Sequence, residues 1–172
     1  MELEEIVKSW SKTTTKPALS EAELKALEVM YKNSKITNDT TISVVKLADL
    51  LNINIAPLER LMDPLVNKHF VRFKYETYKL MSHGYEIFES EYDVLSRIMF
   101  VLNDLKAFKR EIPLPKIAKE IGFGEYAITV FYLEKLQKQG IIKVRHTEKN
   151  ASQYMLTDKG VHLLGYLKSC KK

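Results

Sequence analysis

Cysteine, glycine and proline are all scarce in this chain: one, six and five residues of 172. The lone cysteine, Cys170, leaves no partner for an internal disulfide, which excludes a disulfide-stapled secreted scaffold and makes a cytoplasmic setting the expectation. The glycines form no phosphate-cradling loop, and no nucleophile elbow is present. The four histidines, His69, His83, His146 and His162, lack metal-ligand spacing and have no cysteine partner, so neither a metal nor another cofactor is expected. Acidic residues are scattered as solvated helix faces scatter them, and no enzyme is expected. No apolar run is long enough to span a bilayer, and Met1-Glu2-Leu3-Glu4-Glu5 lacks the basic region and apolar stretch of a secretory signal, so no membrane partner is expected.

What the chain does have is a repeat. Lys46-Leu47-Ala48-Asp49-Leu50-Leu51 recurs as Lys116-Ile117-Ala118-Lys119-Glu120-Ile121. A helical stretch follows each, ending in Asn67-Lys68-His69-Phe70-Val71 or Lys138-Gln139-Gly140-Ile141-Ile142. Each then runs through a strand-like segment to Leu80-Met81-Ser82-His83-Gly84 or Leu156-Thr157-Asp158-Lys159-Gly160. A spacing of about seventy residues means two similar small domains, too large for solenoid repeats. The expected division is an N-terminal segment and linker at 1–19, a first domain at 20–90 and a second at 91–172.

The local signals agree within each copy. Leu3, Ile6, Val7 and Trp10 suggest a short amphipathic turn. Ser20 with Glu23 reads as a capping box opening a helix over Leu24, Leu27 and Met30. Asn33 to Thr41 reads as a polar loop, Ile42 to Val44 as a short strand and Val45 to Leu51 as a helix. Ala56-Pro57 opens a third helix, in which Pro64 predicts a kink or an early end. Phe70 to Leu80 alternates as a hairpin does. The second copy predicts helices at Tyr92–Leu105, Lys116–Ile121 and Glu125–Gln139, strands at Ile141–Arg145 and Gln153–Leu156, and a last helix capped by Thr157. The apolar residues Tyr85, Phe88, Tyr92, Leu95, Met99 and Leu102 recur at helical spacing, with neither proline nor glycine from Tyr85 to Lys109. That stripe predicts one continuous helix from about Gly84 to Leu105, with Glu89-Ser90-Glu91 as the alternative break.

Helix, helix–turn–helix, hairpin, helix is the order of a winged helix. The fold class expected is mainly α with small β-hairpin wings, as two tandem winged-helix domains. The Lys-Ile-Ala-x-x-Ile turn at 116–121, the run from Leu133 and Leu136 to Gly140-Ile141-Ile142, and Leu156-Thr157-x-x-Gly160 resemble bacterial and archaeal regulators of the multiple-antibiotic-resistance-regulator type. The resemblance covers most of residues 20–168 and implies a duplex-DNA-binding transcriptional regulator. Tandem winged helices of about this length also resemble the small subunit of an endosomal sorting complex, which implies instead a protein-interaction scaffold. A replication or chromosome-segregation factor is a third reading.

Charge and the third helix name the candidate residues. Residues 1–90 carry 12 Lys+Arg and 13 Asp+Glu, net −1, whereas residues 91–172 carry 15 and 9, net +6. A positive half favours a polyanion. In a winged helix the third helix normally enters the major groove. In the second copy, Glu125, Tyr126, Thr129, Lys135 and Lys138 are its expected solvent-facing residues. Tyr126 and Thr129 would meet base edges, and Lys135 and Lys138 phosphates. The wing adds Lys143, Arg145, His146 and Lys149, and the five cations from Lys135 to Lys149 are expected to line one basic face. The third helix of the first copy offers Asn54, Glu59, Arg60, Asp63 and Lys68, near neutral, so whether that copy binds DNA stays open. Its surplus aromatics, among them Tyr75, Tyr78, Tyr85 and Phe88, suit a protein partner or homodimer formed through the first winged helix and the 84–105 helix.

Overall fold

The computed structural model describes residues 2–123, 126–149 and 151–170, with backbone alone at Tyr126 and Ala127. The chain folds as two compact units. The first-copy unit comprises Thr14–Ser90 and Gly122–Glu125; the second-copy unit comprises Met1–Thr13, Glu91–Ile121 and Tyr126–Lys172. No helix among the described residues is long and apolar enough to cross a membrane.

In chain order the elements are α1 (Leu3–Ser9), α2 (Glu21–Thr37), β1 (Thr41–Ser43), α3 (Val44–Leu51), α4 (Ile55–Asn67), β2 (Val71–Lys74), β3 (Thr77–Leu80) and α5 (Ser82–Tyr85). They continue as α6 (Glu91–Asp104), β4 (Ile112–Pro113), α7 (Leu114–Ile121), α8 (Tyr126–Lys138), β5 (Ile142–His146), β6 (Ser152–Leu156) and α9 (Asp158–Cys170). From α2 to α5 and from α6 to α9 the order is the same. Each hairpin gains a third antiparallel strand from the segment before the helix–turn–helix, giving sheets ordered β1-β3-β2 and β4-β6-β5. Both copies are therefore helix-plus-wing units, mainly α.

The repeat rests on shared backbone chemistry. At the end of α4, the His69 N–H donates to the Val66 carbonyl and the Phe70 N–H to the Leu65 carbonyl; at the end of α8, Gly140 and Ile141 donate to Gln137 and Leu136 in the same way. The turn residue is left-handed in both, φ 65° at His69 and 76° at Gly140. His69 thus takes the helix-ending turn that Gly140 takes in the second copy. Asn52 and Gly122 end α3 and α7 with φ 54° and 91°. Gly84 and Gly160 pack with almost no room: a Cβ would lie 2.5 Å from the Phe70 carbonyl oxygen in one copy and 2.2 Å from that of Ile141 in the other. Neither position tolerates a side chain, so the repeated glycine is a packing requirement of the helix that follows the wing.

Several expectations are corrected. The chain does not form one helix from Gly84 to Leu105: α5 ends at Tyr85 and α6 begins at Glu91. The Ile87 and Phe88 amides donate three residues back, to Gly84 and Tyr85, and tighten the end of the first helix. A new N-terminus is then tied down, because the Tyr92 N–H donates to the Ser11 carbonyl and the Ser11 N–H to the Glu91 carboxylate. The stripe is two stripes. Tyr85 and Phe88 pack on Tyr31 in the first-copy unit. Leu95, Met99 and Leu102 are fully buried in their own unit.

The short amphipathic turn expected around Leu3, Ile6, Val7 and Trp10 is α1, part of the second-copy unit. Ile6, Val7 and Trp10 are buried, α1 packs on α9, and the Trp10 indole donates to Gln139 Oε1 at 3.0 Å. The predicted loop from Asn33 is helical as far as Thr37. Ser34 and Thr37 hydroxyls donate back to the Tyr31 and Asn33 carbonyls, and left-handed Asn38 ends the helix. Pro64 does not end α4, which runs on to Asn67; Arg60, whose carbonyl loses its helical partner to the proline, is an exposed residue. The capping box at Ser20 and Glu23 is present in both its hydrogen bonds.

Candidate nucleic-acid interface

In the second-copy unit, α8 buries Ile128, Thr129, Tyr132, Leu133 and Leu136. Those spacings form one helical stripe, and Thr129 falls inside it. Thr129 is fully buried, which corrects its expected place on the solvent face and removes it as a base contact. Glu125 lies outside the described residues. Tyr126 opens α8, in the first turn that a recognition helix presents to bases. The exposed face farther along carries Phe131, Glu134, Gln137 and Lys138, an almost neutral set.

Lys135 is occupied. Its ammonium pairs with the Glu91 carboxylate and lies 5.0 Å over the Phe131 ring. Lys135 and Lys138 line a shallow hollow with Trp10, Glu91 and Gln139. That is α8's contribution: one engaged cation and one exposed cation at the helix end.

The wing is more basic. Strand alternation puts Lys143 and Arg145 on one face of β5, both exposed, while Ile142 is buried on the other. On β6 they stand opposite Met155 and Gln153. Arg145 is bound in a fork to Glu111, Nε at 2.9 and 3.0 Å from the two carboxylate oxygens and the terminal nitrogen at 2.6 Å. This hydrogen-bonded guanidinium holds the Glu111 carboxyl below its ordinary value, and Glu111 raises Arg145 in return. Glu111, Lys143, Arg145, Gln153 and Met155 line a second hollow. The five cations expected on one face thus divide between two hollows and the tip. At the tip, Lys149 is exposed and His146 places Nδ1 3.1 Å from Ser152 Oγ.

In the first-copy unit, Asn54, Glu59, Arg60, Asp63 and Lys68 are all exposed on or beside α4, a near-neutral set. Burial raises the Tyr78 hydroxyl above its ordinary value, and the Glu59, Asp63 and Glu76 carboxylates raise it further. The first wing is more basic than α4. Register pairs Arg72 with Lys79 and Lys74 with Thr77 on the outer face, while Val71, Tyr78 and Leu80 are buried on the inner one. The period-two alternation of Arg72 and Lys74 was visible in the sequence; the pairing that sets Arg72 opposite Lys79 was not.

Among the described residues, no group of three or more histidine, cysteine, aspartate or glutamate side chains is placed to hold a metal ion. Compared with known proteins, the chain matches no family model and no curated sequence.

Proposed function

We propose that this chain is a cytoplasmic, non-catalytic protein that binds duplex DNA through its second wing, in the manner of a transcriptional regulator of the multiple-antibiotic-resistance-regulator type. The observation that carries the reading is the outer face of β5, where Lys143 and Arg145 project together and Lys149 follows at the hairpin tip. Basic hairpins suit phosphate backbones, and such contacts set orientation while carrying no sequence information. Lys138 adds a further exposed cation on α8. With Thr129 buried and the rest of α8's described exposed face near neutral, readout falls to DNA shape. Binding on this reading is strongly salt-dependent and only modestly sequence-selective.

A second reading, a protein-docking scaffold, has its own support. Val45, Leu50 and Ile55 on the helix–turn–helix of the first-copy unit are 67%, 50% and 44% exposed. Apolar side chains there suit a protein surface better than a phosphate backbone. A gel-shift titration on unrelated duplexes at two salt concentrations separates the two. Duplex DNA binding requires affinity that falls as salt rises and that weakens in the Lys143→Ala/Arg145→Ala/Lys149→Ala variant. Salt-insensitive binding, or binding unchanged in that variant, moves the assignment to the scaffold.

A further inference from the structure

The first wing carries a combination that its fold does not need. Its outer face sets Arg72 directly across from Lys79, with Lys74 two residues along β2. At the tip, Tyr75 and Glu76 form a two-residue turn with φ 51° and 57°. Both central residues of such a turn are left-handed, so asparagine, aspartate or glycine is the usual occupant. A tyrosine there is strained and packs nothing: Tyr75 is 85% exposed. The Lys74 ammonium lies 5.1 Å over its ring. Phe73, inner-facing and in contact with Tyr78, is itself 45% exposed where the hairpin outruns the core. Cations and open aromatic faces therefore alternate along Arg72-Phe73-Lys74-Tyr75.

We propose that the first wing is a binding site for single-stranded nucleic acid, with an unpaired base stacked on Tyr75 and the strand's phosphates on Arg72 and Lys74. Charge complementarity selects the partner. Two cations call for a polyanion, and an exposed ring beside them calls for one that also presents flat π-faces. A duplex satisfies the first demand and hides its bases from the second, whereas a single strand satisfies both. This site is separate from the duplex contact proposed for the second wing and does not depend on it.

The test is fluorescence anisotropy of the full chain with labelled oligothymidylate, oligouridylate and a blunt duplex of equal length. Tyr75→Ala is expected to weaken single-strand binding about tenfold, the scale of one base–aromatic stack, and to leave duplex affinity unchanged. Tyr75→Phe keeps the ring and is expected to keep the affinity. Tyr75→Asn suits the turn, removes the ring, and is expected to behave as alanine does, which separates lost stacking from lost folding. Arg72→Ala/Lys74→Ala is expected to lower the single-strand salt slope by about 1.4, at roughly 0.7 per phosphate. The thymidylate and uridylate arms identify which kind of strand the site takes. Equal affinity of the wild type and Tyr75→Ala for both single strands, or no single-strand binding by the wild type, overturns the proposal. Loss of the duplex arm alone overturns the second-wing reading and leaves this one standing.

Discussion

Two glycines on one helix should respond to alanine in opposite directions. Gly160 and Gly165 both lie in α9. At Gly165 a Cβ meets nothing within 4 Å, so Gly165→Ala should simply gain helix propensity, stabilising by about 1 kcal/mol. At Gly160 the same methyl would lie 2.2 Å from the Ile141 carbonyl oxygen and 3.1 Å from Leu156 Cδ2. The first distance is far inside the roughly 3.5 Å of an ordinary contact. The oxygen cannot easily retreat, because it accepts the Thr157 N–H and hydroxyl, each at 3.0 Å. Overpacking of this kind costs about 1–3 kcal/mol, occasionally more. Set against the propensity gain, Gly160→Ala should lose about 2 kcal/mol net, and the two variants should differ by about 3 kcal/mol. The assay is built into the unit. Trp10 is the only tryptophan and is 2% exposed in the same unit, so its fluorescence during urea unfolding reports on that unit. A Gly160→Ala variant as stable as wild type, or glycines that respond alike, refutes the close-approach argument for the repeated glycine.

Other outcomes follow from the same geometry. Replacing Tyr75-Glu76 by Asn-Gly should stabilise the first-copy unit by about 1–2 kcal/mol, because the strained left-handed positions are relieved; thermal unfolding by circular dichroism checks it. Trp10→Ala should destabilise the second-copy unit by about 3–5 kcal/mol, as deletion of a buried tryptophan does, whereas a true linker residue would be neutral in hydrogen exchange of α9. The Glu111 carboxyl should titrate below its ordinary value in NMR and return towards it in Arg145→Ala. Since its folded value is depressed, the pair's contribution is present above the ordinary glutamate range and lost as pH falls through the lowered value. Glu111→Gln releases Arg145, and duplex binding, where it occurs through this wing, should tighten and gain about 0.9 in salt slope.

The fold was largely legible, for identifiable reasons. Hydrophobic periodicity, the Ser20 capping box and the repeated glycine are local or pairwise signals, and apart from the single helix expected over 84–105 the elements they named exist with small shifts at their ends. What periodicity could not say is which core a stripe serves. Tyr85 and Phe88 continue the spacing of Leu95 and Met99 yet pack in a different unit, and an unbroken pattern hid a broken backbone. Thr129 illustrates the same blindness at the candidate interface. A small polar residue in a recognition helix invites a base-contact reading, whereas its spacing from Ile128, Leu133 and Leu136 places it in the core. Ion pairs between distant residues, Lys135 with Glu91 and Arg145 with Glu111, leave no local trace in the sequence, and they decide which of the expected cations remain available.

The dependence of duplex affinity on salt, for wild type and Lys143→Ala/Lys149→Ala on two unrelated sequences, tests the central claim most directly. Both lysines are exposed, and each is expected to neutralise one phosphate of the duplex. The account predicts weaker binding by a similar factor on both sequences, with the logarithmic salt slope reduced by about 1.8. An unchanged slope and affinity would contradict it.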